Sequence, residues 1–74
     1  MIIKISKVFL YNSDLKGVIE LEIKDNTTVN DVIKLLSLDN TDYAMFFIND
    51  KIAGKSDMLK NEDTLTILPI CDGG

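Results

Sequence analysis

The chain has 74 residues, 46% of them hydrophobic, with 8 basic and 12 acidic side chains and a net charge of −4; this sets one small domain and argues against a nucleic-acid partner. It holds no histidine, one cysteine (Cys71) and no glycine-rich phosphate loop, which removes His-based triads, His metal ligands, imidazole proton shuttles and an internal disulfide. No stretch reaches the roughly 18 apolar residues of a membrane span, and the Met-Ile-Ile-Lys-Ile start has neither the basic region nor the cleavage site of a signal peptide, so a soluble cytoplasmic protein is expected.

Residues 2–11 are rich in β-branched and aromatic types, which predicts a strand. A turn or short loop follows over 12–17. Residues 18–24 alternate: Ile19, Leu21 and Ile23 face one side, Glu20, Glu22 and Lys24 the other. That period of two marks a half-buried strand, and the pair reads as a hairpin. The two glutamates suit an exposed, edge-protecting face better than an acid/base pair.

Thr28, with Asp31 three residues on, resembles a helix N-cap with an acid in the first turn. Val29, Val32, Ile33, Leu35 and Leu36 recur at helical spacing, which predicts a short amphipathic helix over 29–37. So short a helix must lie on a sheet to persist. After a polar loop, the apolar run 43–48 predicts a buried strand, with Tyr43, Phe46 and Phe47 in the core and Tyr43 nearest the edge. Asn49-Asp50 is a turn signal, and 51–53 a short strand. Residues 54–60 form a polar connection with Met58 and Leu59 tucked in; Lys51, Lys55 and Lys60 are solvated charges. Asn61-Glu62-Asp63 turns the chain into a last strand over 64–70. There, Leu65 and Ile67 are expected inside, and Leu68 outside beside Phe9 or Tyr11 and Ile52, after a change of phase near Pro69. A contiguous exposed apolar patch of this kind would mark a partner site.

Strand, strand, helix, strand, short strand, strand is the order of an α+β, β-grasp (ubiquitin-like) domain. Its mixed sheet would have four to five strands with one main helix packed across it. The first and last strands would lie side by side and parallel at the centre, which a helix-containing crossover permits. Residues 1–70 would be the domain and 71–74 a flexible tail ending in Gly73-Gly74. Glycine lacks Cβ, so such a tail is thin enough to thread a narrow channel. Fully extended, its four residues reach about 13–14 Å.

From about residue 47 onward the chain resembles the MoaD/ThiS family of sulfur-carrier proteins. The matching positions are Ile48-Asn49, Ile52, Leu59, Asp63, Leu65, Ile67, Pro69 and Gly73-Gly74. Glu62 departs from the pattern, standing where a turn glycine is usual, and Ile70 replaces a second proline. The first 40 residues agree in element order more than in identity.

The resemblance implies a carrier rather than an enzyme. Gly74 would be adenylated by a separate activating enzyme that uses ATP, then converted to a thiocarboxylate. Gly73 would serve threading, and the carrier itself would bind no cofactor. Leu68, Ile52, Phe9, Tyr11 and Pro69 would form the partner face. Pro69 and a long first hairpin favour the molybdopterin-synthase small-subunit type, whose partner is the synthase large subunit, over the thiamine type, whose partner is a thiazole synthase. A ubiquitin-like modifier and a β-grasp interaction domain with an inert tail are the other readings. Cys71 reads first as a small residue after the strand, with thiol or acyl exchange as its alternative.

Overall fold

A computed structural model of the protein describes residues 1–10, 15–38 and 41–70. Strand β1 (Ile2–Ile5) leads into a 3-10 turn (Lys7–Phe9), then β2 (Val18–Glu20) and helix α1 (Val29–Leu35). A second 3-10 turn (Thr41–Tyr43) precedes β3 (Ala44–Ile48), β4 (Lys51–Ala53) and β5 (Thr64–Pro69). The strands form one sheet in the order β2-β1-β5-β3-β4. β1 and β5 run parallel, with Ile3 opposite Leu65 and Ile5 opposite Ile67; the remaining neighbours are antiparallel. This is the α+β β-grasp arrangement that the element order predicts. Among the described residues no helix is long and apolar enough to cross a membrane.

β1 is shorter than its composition predicts, and the cause lies in its neighbour. On the β1 side, the Ile2 amide donates to the Asp63 carbonyl and the Ser6 amide to the Ile67 carbonyl. Continuing that parallel ladder needs an N–H from Pro69 to the Ser6 carbonyl, and proline has none. The Ser6 carbonyl instead accepts from the Phe9 amide at 3.1 Å, and the chain turns. Phe9 and Leu10 thereby pack against the core.

β2 likewise falls short of 18–24 as regular strand, yet its alternation is as expected. Ile19 and Leu21 pack on the core and Ile23 is buried, while Glu20, Glu22 and Lys24 are exposed. Met1 and Leu21 exchange two hydrogen bonds. Past Met1 a side chain replaces the missing strand: the Asn61 amide accepts from Ile23 N at 2.8 Å and donates to Ile23 O at 2.9 Å.

The α1 termini follow from the sequence. Asp31 N donates to Thr28 Oγ1 and Thr28 N to Asp31 Oδ2, a reciprocal capping box. At the other end Ser37 takes φ 54°, with Ser37 N bonded to Lys34 O and Leu38 N to Ile33 O. That pairing is a Schellman stop, so the helix ends at Leu35 rather than at residue 37. Val29, Val32 and Ile33 are buried, and Leu36 packs beside them. Leu35, counted on the apolar stripe by spacing, is exposed. The first two amides of the helix are held from outside it: Val29 N donates to Asp57 O and Asn30 N to Lys55 O. That docking buries Leu59 but leaves Met58 exposed, contrary to its expected place.

Thr28→Ala should therefore cost about 1 kcal/mol of stability, read as a shift in urea midpoint. The Thr28 backbone N–H, and after it the Thr28 hydroxyl, hold the Asp31 carboxyl below its ordinary value of 3.8. A depressed folded pKa gives stability that is complete above the unfolded value and fades as pH falls through the folded one. The midpoint difference between wild type and Asp31→Asn should accordingly be present at neutral pH and shrink as the pH falls below 3.8.

The core lies between α1 and one face of the sheet: Ile3, Val29, Val32, Leu65 and Ile67 are fully buried. β3 is covered on that face alone. Phe46 is buried, with Ala44 and Ile48 packing beside it, whereas Phe47 is only half-buried on the opposite face. Tyr43 precedes the strand and is 75% exposed. The sequence reading placed all three aromatics inside; one helix cannot cover both faces of a strand.

Candidate functional site

β5 occupies the middle of the sheet, and alternation decides what it presents. Leu65 and Ile67 point into the core, whereas Leu68 is 41% exposed. No change of phase is needed to turn Leu68 outward, because the alternation runs unbroken from Thr64 to Leu68. Pro69 pairs with Ala44 at the strand's end and is exposed. Beyond it the Ile70 amide donates to the Tyr43 carbonyl at 2.8 Å. The tail from Cys71 through Gly73 and Gly74 lies outside the described residues, as does Tyr11.

The register assembles an uncovered apolar face. Leu68 stands opposite Met45, Thr66 opposite Phe47, and Phe47 opposite Ile52. Ile52 is 73% exposed, and Met45 and Phe47 are half-buried. Leu68 and Ile52 thus share a face, as their roles in the sequence reading require. Phe9 does not join them: the early end of β1 folds it onto the core. Sequence reasoning missed Met45 and Phe47, the residues that link Leu68 to Ile52. Their parity along β3 carried the signal, since one helix leaves alternate positions of that strand bare.

The turn beside this face is held by a clip. Asn49 Nδ2 donates to Asp63 Oδ1 at 2.7 Å, and Asn49 Oδ1 accepts from Thr64 N at 2.9 Å. Asp63 Oδ2 accepts in turn from Lys60 N. Asn49 and Asp50 take φ 51° and 70°. Positive values at both loop positions match the twist of a two-residue hairpin. Asn49 therefore has two tasks, tolerating a left-handed backbone and tying the β3–β4 hairpin to the start of β5. Glu62, where the family pattern has glycine, is absent from the left-handed residues, and its turn closes through Asp63 N to Lys60 O.

The model of the ThiS family matches residues 7–74. The chain belongs to the ThiS family. Among solved structures this ThiS-family chain is similar to SAMP1 from Haloferax volcanii, at 14% identity and a TM-score of 0.68, over 99% of this chain and 97% of that one. The likeness shows the shared fold. No curated protein matches. Members of the ThiS family are small ubiquitin-like sulfur carriers, generally without catalysis of their own. They work with an activating enzyme and a sulfur-accepting partner.

The clip gives a physical reason for two positions of the family pattern to occur together: Asn49 and Asp63 are bonded. Asn49→Ala should cost about 2 kcal/mol, from a left-handed alanine and two lost hydrogen bonds. Asn49→Gly relieves the backbone term and should cost about half as much. Urea melts of the two variants separate these contributions.

Proposed function

We propose that this protein carries sulfur as a thiocarboxylate on Gly74. A carboxylate is a poor electrophile, so a separate activating enzyme first attaches AMP from ATP to Gly74, releasing pyrophosphate. The terminal sulfur of a donor's persulfide then attacks the acyl adenylate and displaces AMP, forming an acyl disulfide between Gly74 and the donor. A second partner thiol attacks the donor's sulfur in that bond, which leaves a disulfide on the partner side and releases the Gly74 thiocarboxylate. This passes its sulfur to the accepting enzyme. The ATP, the basic groups and the nucleophile belong to the partners, which suits a chain without histidine.

The observation that carries this reading is the sheet's central strand ending at an exposed Pro69 and Ile70, beside the uncovered Leu68–Met45–Phe47–Ile52 face. A partner seated on that face lies within reach of four extended residues, about 13–14 Å. The test is the intact mass of the protein isolated from its own host, which should show a form heavier by the difference between sulfur and oxygen. Conjugates to the lysines of other proteins, without that form, would point to a ubiquitin-like modifier instead.

The finer reading is the molybdopterin type, with the large subunit of the synthase as acceptor, and Pro69 supports it. The long first hairpin no longer does, since β1 and β2 are short. Copurification decides: the molybdopterin-synthase large subunit supports this pathway, and a thiazole synthase replaces it with the thiamine one.

A further inference from the structure

On the uncovered face, Phe47, Asp50, Thr66 and Leu68 line a shallow groove of about 250 Å³. Small-molecule sites usually enclose about 300–1,000 Å³ and bury most of the ligand, so this one suits a single side chain. Its walls differ in kind. Phe47 and Leu68 are apolar, Thr66 stands opposite Phe47 in the strand register, and Asp50 follows at the hairpin turn, which makes that end of the groove acidic.

That carboxylate is unpaired. Among the described residues the ion pair is Lys55 with Asp42, and Asp50 has neither an ion-pair nor a hydrogen-bond partner. Lys4 stands beside Thr66 on β1 and Lys51 follows Asp50 in sequence, yet neither is paired with it. The Asn49-Asp50 turn, held by the Asn49–Asp63 clip, fixes where the carboxylate projects.

We propose that this groove seats an arginine side chain of a protein partner, with the stem along Leu68 and Phe47 and the guanidinium on Asp50. An aliphatic stem with a charged head matches a groove that is apolar along its walls and acidic at one end. Arginine fits better than lysine because a planar, weakly hydrated guanidinium can lie on the Phe47 ring while bonding a carboxylate. The Asp50 carboxylate at this end of the groove favours a basic side chain over a neutral or acidic one. The inference rests on the carrier reading for the existence of a docking partner, and it names the chemistry that partner presents.

The test is a titration of the ¹⁵N-labelled full-length protein with n-butylguanidinium, followed by amide chemical shifts. Saturable shifts should concentrate at residues 47, 50, 66 and 68. Asp50→Asn keeps a residue that tolerates positive φ and should abolish them. n-Butylammonium should bind several-fold more weakly. Absence of saturable shifts, their persistence in Asp50→Asn, or equal binding of the ammonium would overturn the assignment. No activating enzyme or sulfur takes part, so failure here is separate from failure of the mass measurement on Gly74.

Discussion

Deletion of Gly74 should abolish sulfur loading while leaving the domain folded. The chemistry needs an α-carboxylate on a residue slim enough to enter another protein's active site, and glycine alone has no side chain to obstruct that passage. Without Gly74 the new end is one residue, about 3.5 Å, shorter. A displacement near 1 Å at a reacting centre can already cost about a hundredfold in rate, so loading should fall below detection. Gly73→Trp should do the same by blocking the channel. The fold should be indifferent: the core closes on Leu65 and Ile67, and the β3–β5 ladder is complete at the Ile70 amide. Intact mass after incubation with the activating enzyme, ATP, a persulfide donor and a thiol reductant gives one readout, and urea melting the other. A truncated protein that still gains sulfur would end the proposal. Lost loading together with a lost fold would show that the tail supports the domain instead.

Much of this architecture could be read in the sequence because its local signals agree. The period of two over residues 18–24, the Thr28–Asp31 cap and the Asn49-Asp50 turn each name one structure, and each is present. The misreadings came from interactions across elements. Nothing within residues 2–11 says that β1 must stop at Ile5; the proline that stops it sits more than sixty positions away, on the neighbouring strand. Phe9, expected on the partner face, changed sides for the same reason. Tyr43 and Phe47 were placed inside because an apolar run does not reveal how many of its faces will be covered. Likewise Asn49 and Asp63 looked like ordinary turn residues when taken singly. Only the fold shows them bonded across fourteen positions.

The largest loss of stability should come from Ile67→Ala, and comparison with the next residue makes it a test of the whole site. Ile67 is fully buried, with Ile5 opposite it on one side and Phe46 on the other. Truncating a fully buried isoleucine costs about 2–5 kcal/mol, because the cavity only partly collapses. Against a total of about 5–15 kcal/mol for a typical domain, and less margin in one this small, that brings the protein close to unfolding at physiological temperature. Ile67→Val removes one methyl group and should cost about 1 kcal/mol. Leu68→Ala, one position later on the opposite face, removes a side chain already 41% exposed. It should cost about 1 kcal/mol, well short of Ile67→Ala, since some two-fifths of its surface stays in water and its removal leaves no closed cavity, yet it should weaken partner binding. Urea midpoints for the three variants, with pull-down of the partner by each folded one, separate a residue that builds the sheet from one that the sheet displays. If Leu68→Ala destabilised as much as Ile67→Ala, the phase of β5 would be wrong. The apolar face, the arginine groove and the route proposed for Gly74 would lose their common footing.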